Sequence, residues 1–247
     1  MHRFFADENG IHNGEAQLNE EDSRHALRVL RLEVGDEIEL VCDSLRYQAG
    51  VAAIEDGIVT VAIRGELRQT EAKTLVTLYQ GLPKADKMEL IAQKATELGV
   101  FAIRPVAMER SIVKLEGKDA VKKIERWQKI AREAVKQCAR TNVPEVLDVK
   151  KLSQLGDELK ALDVLIVPWE EARDGSVMKA LSPFSGQEGV RVGILIGPEG
   201  GISEKEAAWL SENAGAKLVT LGPRILRTET AGLAAIALAM AAMGEME

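Results

Sequence analysis

From residue 74 onward, short apolar segments alternate with longer amphipathic ones, and this alternation constrains the fold more than any other feature of the chain. The short segments are rich in β-branched residues and are typical of strands buried on both faces; they are 74–79, 100–106, 163–167, 192–196 and 217–221. The segments between them repeat apolar residues at helical spacing, most clearly in 86–98, 118–140, 203–215 and from 228 to about 243. Strands that alternate with helices predict an α/β domain with a mainly parallel sheet.

Local signals predict the ends of two of these helices. Asp86 precedes Glu89 by three residues, as in a capping box, and Gly99 follows the last apolar position. Ser203 and Glu206 form the same pattern. We therefore expect both helices to begin with reciprocal side-chain caps.

Residues 1–70 follow a different pattern. Polar and apolar residues alternate along 36–41, 47–54 and 57–63, which is typical of strands with one buried face, and one short helix is predicted over roughly 19–29. We interpret this part as a small β-barrel domain. The predicted boundaries are 1–70 for this domain and 74–247 for the α/β domain.

The charge distribution leaves the class of partner open. The net charge of −7 argues against nucleic acid, but residues 73–150 carry 16 basic and 10 acidic side chains between two acidic ends. A basic middle would suit a footprint on phosphates, although on charge alone solvated helical faces are the preferred explanation. The two cysteines match no metal-binding spacing, and no apolar run is long enough for a membrane span. We expect reduced thiols, no metal and no membrane anchor in a cytoplasmic protein.

Three predicted strands end in loops rich in glycine and proline. These loops begin with Pro168-Trp169-Glu170, with Gly197-Pro198-Glu199-Gly200-Gly201 and with Gly222-Pro223-Arg224. In open parallel sheets, ligands bind outside the carboxyl ends of strands, and glycine lets the backbone approach them closely. The three loops together predict a ligand site, although glycine and proline also end strands without any function.

The sequence also excludes several chemistries. It contains no Gly-x-Gly-x-x-Gly turn and no phosphate-binding Gly-Lys-Ser/Thr loop, so a ligand recognised through an adenine and an amino-acid portion fits better than a dinucleotide. All three histidines lie before residue 26, which disfavours a hydrolytic triad at these loops. Arg227 and Glu229 are the unusual charged residues beside the third loop, although a salt bridge and a favourable helix dipole would also explain them.

Two segments resemble the cofactor-binding loops of SPOUT methyltransferases: LIGPEGG at 195–201 and LGPRILRTETA at 221–231. Over nearly its whole length the chain is similar to the small-subunit ribosomal RNA uridine-N3 methyltransferase family. The similarity includes MHRFF at 1–5, HALRVLR at 25–31 and PKADKME at 83–89. The third-loop segment is highly specific, whereas the glycine-rich segment alone would mark only the superfamily.

The resemblance implies a PUA-like N-terminal domain, a trefoil-knotted α/β domain, S-adenosyl-L-methionine as cofactor and a homodimer. The implied partner is 16S ribosomal RNA or the small ribosomal subunit, methylated near its decoding region. The implied cofactor residues are Pro168, Trp169, Gly197, Pro198, Glu199, Gly200, Gly201, Leu221, Gly222, Ile225, Leu226 and Thr230.

Methylation at N3 of uridine requires removal of a proton, so the expected catalytic residues are the two charged groups beside the third loop. We expect Arg227 to stabilise the negative charge on the uracil carbonyls and Glu229 to orient Arg227 or to accept the proton. Candidate phosphate contacts are Arg3, Arg28, Arg31, Lys84, Lys87 and Lys94. Two alternatives stay open: a SPOUT enzyme acting on another RNA base or on a ribose 2′-hydroxyl, and an RNA-binding module without catalysis.

Overall fold

The structure is a computed structural model that describes residues 1–6 and 9–246. The chain divides into two compact units. The first contains Met1–Glu71 together with Ala139–Asn142, and the second contains Ala72–Cys138 and Val143–Glu247. The sequence pattern did not predict that 139–142 belong to the first unit.

The first unit is built on one six-stranded sheet. Its strands are β1 (His2–Phe5), β2 (Ile11–His12), β3 (Glu15–Gln17), β4 (Glu37–Cys42), β5 (Leu45–Glu55) and β6 (Ile58–Glu66), in the order β1-β4-β5-β6-β3-β2. The expected single helix is α1 (Glu20–His25) followed by a π-helical turn, Ala26–Leu30, which ends at Arg31 in the left-handed conformation. Apolar side chains from the strands and from Ala26 form a separate core.

The second unit contains the mainly parallel sheet that the sequence predicts. Its strands are β7 (Leu75–Gly81), β8 (Ala102–Ala107), β9 (Glu145–Val146), β10 (Lys150–Lys151), β11 (Val164–Pro168), β12 (Arg191–Ile196) and β13 (Lys217–Val219). The order is β10-β8-β7-β12-β11-β13, with β9 also paired to β8. Every pairing among the strands described in this sheet is parallel, so their carboxyl ends lie at one edge.

Helices cover both faces of this sheet. They are α2 (Lys87–Glu97), α3 (Gly117–Cys138), α4 (Gly156–Lys160), α5 (Val177–Leu181), α6 (Glu204–Ala214) and α7 (Thr228–Ala242). Buried side chains of α2, α3, α5 and α7 share one core with the sheet, and those of α4 and α6 share a second core. No helix within residues 1–6 and 9–246 is long and apolar enough to cross a membrane.

The local signals for helix ends were right at α6 and wrong at the start of α2. Ser203 Oγ accepts from Glu206 N at 3.3 Å and Ser203 N donates to the Glu206 carboxylate at 3.1 Å, which confirms that capping box. The Asp86 side chain makes no cap at α2, since the Glu89 N–H donates to the Asp86 carbonyl at 3.0 Å instead. The Glu89 carboxylate pairs with Arg126 of α3 at 2.8 Å, so neither half of the expected box forms.

Candidate functional site

The loops that follow β11, β12 and β13 meet around one cleft of about 960 Å³ at the carboxyl edge of the parallel sheet. Its lining residues come from 168–173, 196–202 and 220–231, with Lys87 added from the first turn of α2. Ligand pockets in proteins typically have volumes of about 300–1,000 Å³. The three strand ends singled out in the sequence therefore lie together at one ligand-sized cleft.

Most of the residues expected at the cofactor line this cleft, and two do not. The lining includes Pro168, Trp169, Gly197, Pro198, Glu199, Gly201, Leu221, Gly222, Ile225 and Leu226. Gly200 is absent from the lining, since its carbonyl accepts from Arg110 at 3.0 Å and its Cα faces the Arg110 side chain. Thr230 is also absent and lies exposed on α7. The geometry of the cleft does not support these two expectations, and they stay predictions.

Two glycines of residues 197–201, called the glycine loop below, leave no room for a side chain or require a conformation typical of glycine. A Cβ on Gly197 would lie 2.8 Å from Ile202 Cγ1 and 2.9 Å from the backbone of Gly201. Gly201 has a φ of +74°, a conformation that other residues rarely adopt. At these two positions the backbone itself lines the cleft.

A buried set of hydrogen bonds ties the glycine loop to α7. Thr228, the first residue of α7, donates its hydroxyl to the Gly197 carbonyl at 2.6 Å and accepts from Gln80 Nε2 at 2.8 Å. Gln80 Nε2 also donates to the carbonyl of Gly81 at 3.0 Å. Both side chains are buried, Gln80 completely. Strand β7, the glycine loop and the start of α7 thus share one polar contact.

Lys87 forms a second link, at the surface. Its ammonium group lies 3.0 Å from Glu199 Oε1 and 3.1 Å from Glu229 Oε2. The backbone N–H of Lys84 also donates to Glu199, at 3.0 Å. One lysine therefore joins a carboxylate of the glycine loop to a carboxylate in the first turn of α7.

These contacts keep both carboxylates ionised. Burial alone would raise the pKa of Glu229, but its own backbone N–H, Lys87 and the charge of Arg227 outweigh burial and hold the pKa below its ordinary value. The pKa of Glu199 is also lowered, because the Lys84 N–H and Lys87 together outweigh burial. The same two carboxylates raise the pKa of Lys87. All three groups stay charged at neutral pH.

Arg227 lies at the rim of the cleft as the residue before α7 and is exposed. Its guanidinium has neither an ion pair nor a hydrogen bond within the described part of the chain. Ile225 borders the cleft as well, and 89% of it is exposed, so its part in an apolar wall stays a prediction. No cluster of three or more potential metal ligands occurs in the part of the chain that the structure describes.

The six basic residues expected to contact phosphate differ in solvent exposure and in whether they already form ion pairs. Arg3 is not available, because its side chain is only 10% exposed and pairs with Glu39 at 2.7 Å. Lys87 and Lys94 are engaged with acidic side chains, Lys94 with Glu97 at 2.8 Å. Arg28, Arg31 and Lys84 are exposed. The prediction of phosphate contact is strongest for these last three.

Sequence reasoning did not single out Gln80, Thr228 or Glu170 as site residues. Gln80 gave a usable signal, since it is a polar residue at the end of an apolar strand. In the sequence, Thr228 is notable only as part of the LGPRILRTETA segment and as the predicted start of a helix. The hydroxyl partner of Thr228 lies 148 positions away in sequence, so no local pattern could have indicated the contact.

Comparisons with known proteins cover both units. A family model described as an RNA methyltransferase domain matches residues 70–240, and one described as an RNA methyltransferase PUA domain matches residues 18–64. The chain is 39% identical to ribosomal RNA small subunit methyltransferase E of Bacillus subtilis, over 87% of this chain and 86% of that protein. It is 31% identical to the Aquifex aeolicus protein of the same name, over 97% and 99%.

Two solved structures are similar along nearly the whole chain. Ribosomal RNA small subunit methyltransferase E from Neisseria gonorrhoeae, bound to S-adenosyl methionine, has a TM-score of 0.76, 36% identity and coverage of 97% of each chain. A putative methyltransferase from Legionella pneumophila, in complex with the cofactor SAM, has a TM-score of 0.74, 30% identity and coverage of 98% of each chain. The predicted fold, a mainly parallel α/β domain preceded by a PUA-like domain, is confirmed.

Proposed function

Because the chain belongs to the family of ribosomal RNA small subunit methyltransferase E, we propose that it methylates N3 of one uridine in 16S ribosomal RNA, using S-adenosyl-L-methionine. The observation that carries this proposal is the cleft formed by the three carboxyl-end loops, with the unpaired guanidinium of Arg227 at its rim. The decoding region of the small subunit is the proposed location of the uridine.

The cleft fits the cofactor in size, shape and charge. Its volume of about 960 Å³ is large enough for a nucleoside joined to an amino acid. The bare backbone of the glycine loop offers N–H and C=O groups to an adenine, and Trp169 and Leu226 add apolar surface. Glu170 supplies a negative charge that suits a cationic ligand. When bound, the sulfonium of the cofactor supplies a methyl group already activated for transfer.

Arg227 has the position and freedom that the acceptor base requires. Uridine N3 carries a proton, which passes to solvent at the exposed rim of the cleft, and its removal leaves negative charge on the two neighbouring carbonyl oxygens. An unpaired guanidinium at the rim of a cleft stabilises such charge without first breaking another ion pair. We therefore assign charge stabilisation to Arg227.

Glu229 suits an orienting role better than a proton-accepting one. Its pKa is lowered and its carboxylate pairs with Lys87, so it is a weak base at neutral pH. It is also absent from the lining of the cleft, whereas Arg227 is present. Glu229 lies in the first turn of α7, two residues after Arg227, and acts on Arg227 through its negative charge.

The N3 edge is a pairing edge, so the target base must be unpaired or turned out of its helix to reach the cleft. The exposed Arg28, Arg31 and Lys84 are the proposed phosphate contacts. Such contacts contribute affinity that falls as salt increases.

A second copy of the chain is the proposed covering for α7. This helix carries a single charged residue, Glu229, along Thr228–Ala242. An apolar helix of this kind is normally buried on all sides, yet Leu238 is 39% exposed and Ala241 is also exposed. A homodimer would cover this face. We also propose the trefoil knot and a cytoplasmic location, which the family resemblance implies.

The function is tested with small subunits from cells that lack this activity. Incubation with the protein and labelled S-adenosyl-L-methionine, followed by mass spectrometry of the nucleosides, is expected to yield one 3-methyluridine per particle. A labelled ribose or another labelled base would replace the proposal with a different RNA methyltransferase activity. Cofactor binding without any labelled nucleoside, on either subunits or free 16S RNA, would indicate a binding module.

A further inference from the structure

We propose that Gln80 and Gly232, neither of which lines the cleft, are positioning residues that act through Thr228 to hold Arg227 and the glycine loop in one arrangement. The inference rests on the proposed function and extends it to two residues outside the lining of the cleft. Four buried groups form the relay, in the order Gly232, Gln80, Thr228 and the carbonyl of Gly197.

The hydroxyl of Thr228 has only one possible orientation in this setting. A threonine hydroxyl carries one proton and two lone pairs. Gln80 Nε2 donates to the oxygen, so the proton is directed to the Gly197 carbonyl, 2.6 Å away. Because Thr228 is buried, water cannot replace either partner without a rearrangement.

The side-chain amide of Gln80 is held in one orientation, which leaves its oxygen without a hydrogen bond among the described residues. Its nitrogen donates to Thr228 and to the Gly81 carbonyl, which fixes the orientation of the amide because a reversed amide would turn its oxygen toward that carbonyl. The Gln80 Oε1 atom is completely buried and has no hydrogen-bond partner within the described residues. A buried acceptor without a partner is unfavourable, and such groups call for a functional explanation. Positioning Thr228 provides that explanation.

Gly232 explains where the Gln80 amide finds room. Glycine inside a helix lowers stability relative to alanine, and Gly232 lies within α7. A Cβ at this position would lie 3.3 Å from Gln80 Oε1 and 3.7 Å from Ile196 Cγ1. The missing side chain therefore leaves space for the amide one turn after Thr228.

The relay connects the glycine loop of the proposed cofactor cleft with Arg227, and the proposed reaction requires both to be in place together. Gly197 begins the glycine loop, and Thr228 directly follows Arg227. Fixing the hydroxyl between them sets the distance from the backbone wall of the cleft to the starting point of the guanidinium side chain. Misplacing catalytic groups by about 1 Å can cost about a hundredfold in rate.

The test compares T228V, Q80L and G232A with the rescue variant T228S and the control T96V. Thr96 is also fully buried and donates its hydroxyl to the Ala92 carbonyl inside α2, far in sequence from the cleft loops. Amide hydrogen exchange of residues 197–202 is measured without any ligand, and the cofactor Kd and kcat on 16S RNA are measured separately. We expect T228V and Q80L to speed exchange at 197–202 about tenfold, as for one lost hydrogen bond, and to lower kcat at least as much.

Each variant then has a distinct expected result. T228S retains the hydroxyl, so its kcat stays within about threefold of the wild type. G232A lowers kcat and speeds exchange at 197–202 by less than Q80L does. T96V loses thermal stability, whereas its kcat and its exchange at 197–202 are unchanged. The inference is overturned if T228V and Q80L match T96V in both readouts, or if G232A matches the wild type in both. A wild type that neither binds the cofactor nor methylates RNA would refute the proposed function, while the exchange measurement would still test the relay.

Discussion

Two ion-pair clusters in this molecule have opposite polarity, and one is more exposed than the other. In the first unit one carboxylate, Glu39, lies between Arg3 at 2.7 Å and Arg46 at 2.6 Å, and the three side chains are only 8–15% exposed. In the second unit one ammonium, Lys87, lies between Glu199 and Glu229, and these side chains are 17–27% exposed.

The difference in exposure separates a structural role from a positioning role. Removing one member of a buried cluster leaves an uncompensated charge without water, so the fold itself depends on it. A partly exposed cluster contributes little to stability, because water screens its charges. What Lys87 contributes is the arrangement of the two carboxylates beside the cleft, and Arg227 has no ion pair in the part of the chain that the structure describes. In the proposed function this leaves its guanidinium available to the substrate.

The largest expected effect concerns that unpaired charge. We expect Arg227→Ala to lower kcat by about 10²–10³-fold, as for loss of one donor to developing negative charge, with thermal stability unchanged because the guanidinium has no partner in the described structure. Single-turnover kinetics with saturating cofactor would measure it. Wild-type turnover in this variant would remove Arg227 from the mechanism.

The buried cluster should give the largest loss of stability. Glu39→Gln leaves Arg3 and Arg46 buried without a counter-charge, and we expect the free energy of unfolding of the first unit to fall by about 3 kcal/mol. Glu37→Gln is the matched control, since Glu37 pairs with Arg64 at an exposed position, and it should cost less than about 1 kcal/mol. Equal losses for the two variants in urea unfolding would contradict the distinction.

The pH dependence follows from the same cluster. Burial would raise the pKa of Glu39, but hydrogen bonds and charges of Arg46 and Arg3 outweigh burial and lower it. A carboxyl with a lowered folded pKa adds stability that is complete above its unfolded pKa of about 4.3 and is lost as pH falls through the folded pKa. Acid unfolding of the wild type should therefore steepen below about pH 4.3. Glu39→Gln should weaken this dependence.

The exposed cluster should change titration more than stability. In Lys87→Met, Glu229 and Glu199 lose a cationic neighbour, so the pKa of each should rise toward its ordinary value. Carboxyl resonances followed by NMR would measure this shift, and kcat should fall about tenfold as Arg227 loses its fixed neighbour. Lys94→Met is the control, since among the described residues Lys94 pairs with Glu97 on its own helix and with no carboxylate at the cleft. Unchanged titration of Glu229 would show that Lys87 does not set its charge.

The smallest expected effect is on RNA affinity. Exposed Arg28 and Arg31 are free to contact phosphate, whereas the Arg3 side chain is only 10% exposed and pairs with Glu39. Replacing both exposed arginines by glutamine should weaken RNA binding severalfold and reduce the slope of log affinity against log salt by about 1–2. Fluorescence anisotropy across a salt series measures both quantities. A slope equal to that of the wild type would exclude these contacts.

Most of the α/β fold could be predicted from the sequence, because local patterns of apolar residues indicate buried strands and amphipathic helices. The capping box of α6 was predictable since both of its members lie within four residues, whereas at α2 the Glu89 N–H donates to the Asp86 carbonyl and the Glu89 carboxylate pairs with α3. Along α3 the apolar spacing is an incomplete guide to burial, since Val121 is 55% exposed whereas Ala131 is buried. Short elements such as β9, β10, α4 and α5 carry too few residues for a pattern.

The candidate site was predictable to the extent that parallel strands bring their carboxyl ends together. That rule located three loops, but it could not tell that Gly200 faces Arg110 or that Lys87 is engaged with two carboxylates. Ion pairs and buried hydrogen bonds depend on side chains that are distant in sequence. Sequence patterns therefore indicated the cleft, and the geometry assigned its supporting contacts.

The most direct test of the account is amide hydrogen exchange of the whole protein with and without S-adenosyl-L-methionine. Binding in the cleft should slow exchange in the three loops, at 168–173, 197–202 and 220–228, because a ligand there restricts their opening. Residues 37–66 of the first unit should exchange as before. Protection confined to the first unit, or no protection at the three loops under saturating cofactor, would contradict the account.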